Sequence, residues 1–465
     1  MPVALALVAV ICCGTWLWAR PAALTTGVPA PDLPGDGWLR ADHGQIVDGE
    51  GRSVLLRGFD DSSLLAYPNF ESGGQAPLDD SDAELMAASG FDLVRIAISW
   101  ALLEPRRHHI DQTYLNRIRA TVRTVERHGL RVVLDMHFGI GWGPPDQVPA
   151  WASIPAVPDI RWFPVDPWTS RLSPRPAAAQ VHFWTSRDWQ QDLAMCWQAV
   201  AGLFRDDPLV AGYDLFNEPH PVPIPPAVFE ARFLWPFTAW LIAQVSKVDA
   251  RHLFIVESTL FEELPTLTEP LSAPNLVYSP HLYAGSLVPS PGSPEAVIPG
   301  RLEARAAEAR VLPAALWVGE LGIDWSNRQA RSWAFAAVDA MSRMGIGWAW
   351  WQWRQNGGWG IRSANGAHID MGALRVLARP YLEAAPSGVQ AVDTGGGGLS
   401  VRVRPDHADR SVIVAWPRLT EGAPRVAGSC VAGDGWEGAA GPTSAIVLRL
   451  RPGRGCTIEV RRAGG

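Results

Sequence analysis

Glu218 sits in the run Phe216-Asn217-Glu218-Pro219, where an apolar stretch from Leu209 breaks off, and Glu320 closes a second apolar run, Leu316-Trp317-Val318-Gly319. A carboxylic acid beside an amide at one strand end, with a second carboxylate at another, points to cleavage of a glycosidic bond. That chemistry needs one carboxyl that keeps its proton for the leaving oxygen and another that stays ionised to meet the anomeric carbon. Asn217 suits the neighbourhood of the acid, because its amide can hydrogen-bond a sugar 2-hydroxyl. Arg95 and Tyr283 are suited to hold Glu320 as an anion by charge and hydrogen bond. Glu218 is therefore the candidate acid/base and Glu320 the candidate nucleophile. Carboxyls about 5 Å apart would mean retention of configuration, and about 6.5 to 9.5 Å inversion.

Such residues can act together only if the fold brings them to one face. Eight short apolar runs read as strands: Leu55 to Asp60, Leu93 to Trp100, Arg131 to His137, Val210 to Asn217, Leu253 to Glu257, Leu276 to Tyr283, Leu316 to Glu320 and Gly347 to Trp353. Helical patterns separate them at Ser81 to Ala88, Tyr114 to His128, Asp188 to Phe204, Val228 to Val248, Arg301 to Arg310 and Arg328 to Met344. Eight such units predict an α/β fold of the (β/α)8 TIM-barrel kind, whose site lies at the C-terminal strand ends. Arg57-Gly58-Phe59-Asp60-Asp61 is not the Gly-rich phosphate loop that a doubly wound sheet would carry after its first strand. Arg95, His137, Asn217, Glu218, His281, Tyr283 and Glu320 all fall in strands or at their ends. Singly, each has an innocent explanation: a buried ion pair for Arg95, a rim histidine for His137, a turn cap for Glu218. Their common placement carries the reading.

Trp348, Trp350, Trp351, Trp353 and Trp359 crowd the last strand and its loop, and flat rings with a polar edge suit the apolar faces of sugars. Strand alternation sets Trp351 and Trp353 on one face, Trp348 and Trp350 on the other. The long Pro-rich insertion between Phe138 and Ser186 holds Trp142, Trp151, Trp162, Trp168 and Trp184. It either caps the barrel rim or walls the substrate cleft. After Arg379-Pro380-Tyr381, strand-like segments at Leu399 to Val403, Ser411 to Trp416, Ala445 to Leu450 and Cys456 to Val460 predict a small C-terminal β-sandwich. The organisation expected is residues 1–34 as leader and linker, 35–385 as barrel and 386–465 as sandwich.

The chain has 465 residues, 47% of them hydrophobic, enough for a barrel with a further module. A net charge of -7 without an aromatic-laced basic cluster excludes the usual nucleic-acid footprint. The uncharged stretch Val3 to Ala19 reads as an export signal, or as an anchor if it is retained; Cys12-Cys13 within it lacks the small residue expected before a lipidated cysteine. Membrane association would run through this segment, and the body is expected outside the cytoplasm. There Cys430 and Cys456 could pair, whereas Cys196 reads as a buried hydrophobe. The 11 histidines are scattered and no CxxC spacing occurs, so neither metal nor cofactor is expected. The expected state is a monomer.

Through Asn217-Glu218-Pro219, Glu320, Arg95, His137, His281-x-Tyr283 and Trp351 the chain resembles glycoside hydrolase family 5 of the retaining clan over the whole barrel. Within it, Gly212-Tyr213-Asp214-Leu215-Phe216, Ser279-Pro280-His281-Leu282-Tyr283, Arg379-Pro380-Tyr381 and the trailing sandwich resemble the endoglycoceramidase-related branch. The resemblance implies Glu218 as acid/base, Glu320 as nucleophile, and Arg95, His137, Asn217, His281, Tyr283 and Trp351 as supports or sugar contacts. Two positions depart from that branch. Its members usually follow the strand-three histidine with Gln-Asp, where this chain has Phe138-Gly139, and the loop Asp60-Asp61-Ser62-Ser63-Leu64 lacks an expected lysine. Apolar loops at His220 to Pro225 and Leu287 to Pro289 suit a greasy aglycone. The leading expectation is a retaining β-glycosidase for a glycolipid or another β-glycoside with an apolar aglycone. The alternatives are a β-glucan or mannan endo-hydrolase and, from another class, a non-catalytic glycan- or lipid-binding protein.

Overall fold

Leu93–Ile98 and Val210–Asp214 are buried at every position, as strands covered on both faces must be. The computed structural model describes residues 24–26, 37–65, 76–139, 141–158, 173–220, 224–259, 269–287, 290–395, 397–404, 411–432, 437–438, 444–451 and 453–463. The eight barrel strands are Arg57–Asp61, Leu93–Ile98, Arg131–Met136, Val210–Asp214, Leu253–Val256, Leu276–Tyr278 continued by His281–Leu282, Ala315–Leu321 and Gly347–Trp350. Each pairs in parallel with its neighbour, and pairing of Val277 with Ala315 completes a ring with strand eight against strand one. The expected TIM barrel is therefore the fold.

The helices cover it for ordinary reasons. Gln112–Glu126 buries Leu115, Ile118, Val122 and Val125 at helical spacing, and Asp111 caps it by accepting from the Tyr114 amide. Two expectations need correcting. The sixth strand is broken at Ser279-Pro280, because proline has no N–H to give the ladder. The helix expected from Val228 to Val248 runs as Pro226–Phe229, a π-turn at Glu230–Leu234, then Trp235–Val245. Pro236 removes one backbone donor at that junction.

The insertion after strand three contains a helix that its proline content hid, Pro174–Thr185, with Pro174 inside the first turn, where the lost N–H is harmless. Trp142 and Trp184 are buried, and Trp151 is partly buried. Trp142 donates to the Ala152 carbonyl and Trp151 to that of Glu104. These three rings take the packing role, while Trp162 and Trp168 lie outside the described residues.

Beyond the barrel, Tyr381–Ala385, Ser411–Ala415 and Ala445–Arg449 build one antiparallel sheet, and Gln390–Gly395, Gly398–Val403, Cys456–Arg462 and Pro424–Ala427 the other. Val401, Val412, Val414, Leu448 and Ile458 meet between them as alternating inward residues. The hairpin strands Arg40–Asp42, Gln45–Val47 and Ser53–Val54, far away in the chain, extend the first sheet through Ser53–Val54 against Tyr381–Ala385. Cys430 and Cys456 form a disulfide.

At the barrel's N-terminal end Asp92, Arg131 and Glu383 line a cavity of about 240 Å³ against the sandwich. Burial pushes the Glu383 carboxyl up to about 7, with Arg131 and Arg52 pulling it back. The folded protein therefore binds this proton more tightly than the unfolded chain, whose glutamates titrate near 4.3, and stability falls as pH rises from about 4 to about 7. Glu383→Gln mimics the protonated form. Its melting temperature should match the wild type near pH 4.5 and exceed it above pH 7.5, and a difference that does not change with pH would refute this account.

Candidate active site

Arg95 has no exposed surface and is surrounded by five carboxylates. Its Nη1 lies 3.1 Å from Asp60 Oδ1 and 3.3 Å from Glu320 Oε2. Its Nη2 lies 3.2 Å from Asp135 Oδ1 and 3.2 Å from Glu257 Oε1, and donates to Asn217 Oδ1 at 2.9 Å. Nε donates to Asp214 Oδ2 at 3.0 Å. Asp135, Asp214 and Glu257 stand close enough together to share a cation, and the guanidinium is the cation that they have. Burial opposes the charge on Arg95, but Asp135, Asp214, Asp60 and Glu257 outweigh it and hold the guanidinium firmly protonated.

One guanidinium cannot neutralise five anions. Burial pushes Asp60 and Glu257 well above the ordinary carboxylate range and Asp214 to about 6, while Arg95 pulls all three back and His281 draws Glu257 down most. Glu320 is the member held at the mouth, with Tyr283 donating to its Oε1 at 2.7 Å. Burial and the charge of Glu320 push the Tyr283 hydroxyl well up, which keeps it a donor. Gly319, just before it, is required by close packing: a Cβ there would fall 2.1 Å from Ser279 Oγ.

Glu218 follows Asn217 beyond strand four with φ at 43°, a left-handed conformation for a non-glycine residue. Its amide donates to Glu257 Oε2 at 2.6 Å, and its Oε1 faces His281 Nδ1 at 2.8 Å. One oxygen of Glu218 and one of Glu320 lie within 4.8 Å of each other. That separation fits attack on the anomeric carbon by one carboxylate while the other serves the leaving oxygen, and is too short to seat a water for inversion.

The neighbours of Glu218 act against the protonated form that an acid/base delivers. Burial pushes its carboxyl up, but the hydrogen bond and charge of His281, with His137 and His220 behind, carry it below the ordinary value. His281 is raised well above its usual value: burial favours the neutral ring, and Glu257, Glu320 and the bond to Glu218 overcome it.

All eight expected residues converge on this face. Asn217 is held at both ends, accepting from Arg95 and donating to the Phe138 carbonyl at 2.9 Å. His137 sits 2.8 Å from Asp135 and stacks on Trp351, with ring centroids 5.3 Å apart. Trp353 does not share that face. The strand ends at Trp350, alternation ceases, and Trp353 turns against Phe59 and donates to Asp82 Oδ1 at 2.7 Å. Trp348 and Trp350 are buried, and Trp359 meets Tyr283 edge-on at 6.2 Å. Phe138 stacks on Phe216 at 4.0 Å, and Ser62 donates to Gln352 at 2.6 Å, so both positions that depart from the related branch are filled by packing and hydrogen bonds.

The sequence reading missed Asp60, Asp135, Asp214 and Glu257 as members of the site. A signal existed: acidic residues inside or just after runs of buried apolar strand need a buried counter-charge, and Arg95 stands midway along the apolar run of strand two.

Several known proteins resemble this chain. The model of the cellulase family, glycosyl hydrolase family 5, matches residues 47–357. Endoglycoceramidase I of Rhodococcus hoagii (strain 103S) is 25% identical over 477 residues, covering 92% of this chain and 88% of the relative. A crystal structure of endogalactoceramidase superposes with a TM-score of 0.75 at 28% identity, covering 92% of this chain and 100% of the other. Endo-glycoceramidase II from Rhodococcus sp., in a cellobiose-like isofagomine complex, superposes with a TM-score of 0.77 at 25% identity, covering 90% and 100%.

Removing the Tyr283 hydroxyl strips a donor from a buried anion, worth about 1.5 to 3 kcal/mol. Tyr283→Phe should therefore lower kcat/KM by roughly 10- to 150-fold with the fold intact by circular dichroism, and an unchanged kcat/KM would refute the contact's importance. Arg95→Met leaves five carboxyls without their cation and should cost about 3 to 5 kcal/mol in urea unfolding. A loss below about 1 kcal/mol would show that the ring stands without it.

Proposed function

The chain belongs to glycosyl hydrolase family 5, and from that membership we propose that Glu218 and Glu320 cleave the β-glycosidic bond of a glycolipid by double displacement with retention. The enzyme is a glycoside hydrolase; what is proposed is the assignment of residues and the substrate. The observation that carries the assignment is the pair of carboxyls within 4.8 Å, one of them paired with Arg95 and Tyr283. Glu320 attacks the anomeric carbon as Glu218 protonates the departing oxygen, and Glu218 then deprotonates the water that hydrolyses the glycosyl ester. Arg95, Asn217, His281 and Tyr283 position the two carboxyls, and the stacked Trp351 and His137 offer a flat floor for a sugar ring.

The glycolipid follows from two supports. The relatives named above are glycoceramidases, and a glycosylceramide is accordingly the first substrate to offer. Exposed apolar side chains, Leu287 and Val228, stand on the connections leaving strands six and four, where an aglycone would emerge. Pro221 to Pro223 and Val288-Pro289 lie outside the described residues. An extracytoplasmic location belongs to the same reading and is supported by the Cys430–Cys456 disulfide. Val3 to Ala19, through which membrane association would run, is outside the described residues; among those described, no helix is long and apolar enough to cross a membrane.

Purified protein should be offered glucosyl-, galactosyl- and lactosylceramide, aryl β-glycosides, and soluble glucan and mannan. Release of ceramide with a β-anomer as first product, lost by about 10²-fold or more in Glu218→Gln and Glu320→Gln, is expected. Oligosaccharides from polymer alone would overturn the glycolipid assignment, and full activity in either variant the residue assignment.

A further inference from the structure

Glu257 follows strand five and is buried at the centre of the site. Its two oxygens do different things. Oε2 accepts the Glu218 amide at 2.6 Å, which fixes a backbone lying at φ 43°. Oε1 lies 3.2 Å from Arg95 Nη2 and 3.3 Å from His281 Nε2. His281 places its other nitrogen 2.8 Å from Glu218 Oε1 and 3.8 Å from Glu320 Oε1. An imidazole with a carboxyl at each nitrogen meets both as a donor when it is the doubly protonated imidazolium.

We propose, on the reading that Glu218 is the acid/base, that Glu257 is a positioning residue of the reaction: one oxygen sets the Glu218 backbone and the other anchors the far nitrogen of His281, so that His281 stores the proton that Glu218 passes to the leaving oxygen. In the first half-reaction the Nδ1–H bond breaks and the proton moves to Glu218 Oε1. From there it goes to the glycosidic oxygen as that oxygen leaves the anomeric carbon and Glu320 bonds to the carbon. His281 is left neutral with its Nε2 proton directed at Glu257. In the second half-reaction the water oxygen bonds the carbon, the ester to Glu320 breaks, and the water proton returns through Glu218 to Nδ1. Charge stays matched throughout, because Glu320 loses its negative charge on esterification in the step in which His281 loses its positive one. The groups acting on the ring are Glu218, Glu257 and Glu320 from strand ends four, five and seven, Asp214 and Arg95 beneath, and Tyr283 on its own segment.

Glu257→Gln in the full chain tests this. Glutamine keeps the size and an acceptor for the Glu218 amide and removes the charge facing His281. On alkyl β-glycosides, whose leaving oxygen needs the proton, the alkaline limb of kcat/KM should move down by about one pH unit or more. On 2,4-dinitrophenyl β-glycosides, whose leaving group needs none, the rate of the first half-reaction should fall by a much smaller factor than on the alkyl substrates. Equal loss on both substrates with an unmoved limb would reduce Glu257 to a structural role and overturn the proposal. Should the variant not fold, nitrogen-15 NMR of histidine side chains in the wild type, assigned with His281→Gln, decides the matter without activity. A doubly protonated ring persisting well above the pH at which an ordinary histidine loses its proton is expected, and a His281 already neutral near that ordinary value of about 6.5 would overturn the proposal. Failure of the parent reading looks different: no glycoside is cleaved, while the histidine signal is still read.

Discussion

A guanidinium sealed inside a barrel has to be answered by the barrel itself, and Arg95 is answered from strands one, three, four and seven and from the residue after strand five. An unpaired charge there would be prohibitive, and so would five anions without a cation. The carboxyls that meet the guanidinium are thereby fixed in height along their strands, since each must end where a nitrogen can reach it. Glu320 inherits its position from this ring, and Asn217, bonded to Arg95, carries Glu218 to its place beside it. The geometry of the reacting pair is thus a by-product of satisfying a buried cation.

The same shortage of positive charge governs where the protons are. Burial drives Asp60 and Glu257 upward, and it favours the neutral form of His281, but the charges of Glu257 and Glu320 overcome that and drive the histidine upward too. His281 stands between Glu218 and Glu320, 2.8 Å from one and 3.8 Å from the other, and its hydrogen bond and charge draw the Glu218 carboxyl below its ordinary value against the effect of burial. A proton held one hydrogen bond from where it is needed costs little to deliver.

Precision at this scale requires a stiff surround. Trp100, Trp142, Trp151, Phe183 and Trp189 interlock edge to face beside strand two and the insertion, and Phe138 and Phe216 stack directly beneath the segment that bears Glu218. The rings bury area and also restrict the backbone to one packing. At the opposite end Arg57 lies over Tyr381 at 4.1 Å, joining strand one to the first strand of the sandwich. The hairpin before strand one extends the same sheet, so the barrel is tied to the sandwich on both sides of its chain.

The barrel was legible in the sequence because its determinants are local: eight buried strands read as apolar runs, the helices between them keep a 3.6-residue period, and most of the runs stop at a polar residue. The two carboxyls proposed to react were singled out for the same reason, since Glu218 and Glu320 stand at the ends of such runs. Limits appeared wherever a local rule met a long-range partner. Prolines concealed the helix Pro174–Thr185, and Trp353 left the face that alternation gave it because Asp82, on a distant helix, takes its ring nitrogen. The joining of residues 40–54 to the C-terminal sheet leaves no mark in either segment alone. Nor could sequence place the proton, because whether Glu218 or His281 holds it depends on distances of 2.8 and 3.3 Å from the histidine to carboxyls at the ends of two other strands. Position along a strand is a property of the chain, whereas the field at a point is a property of everything folded around it.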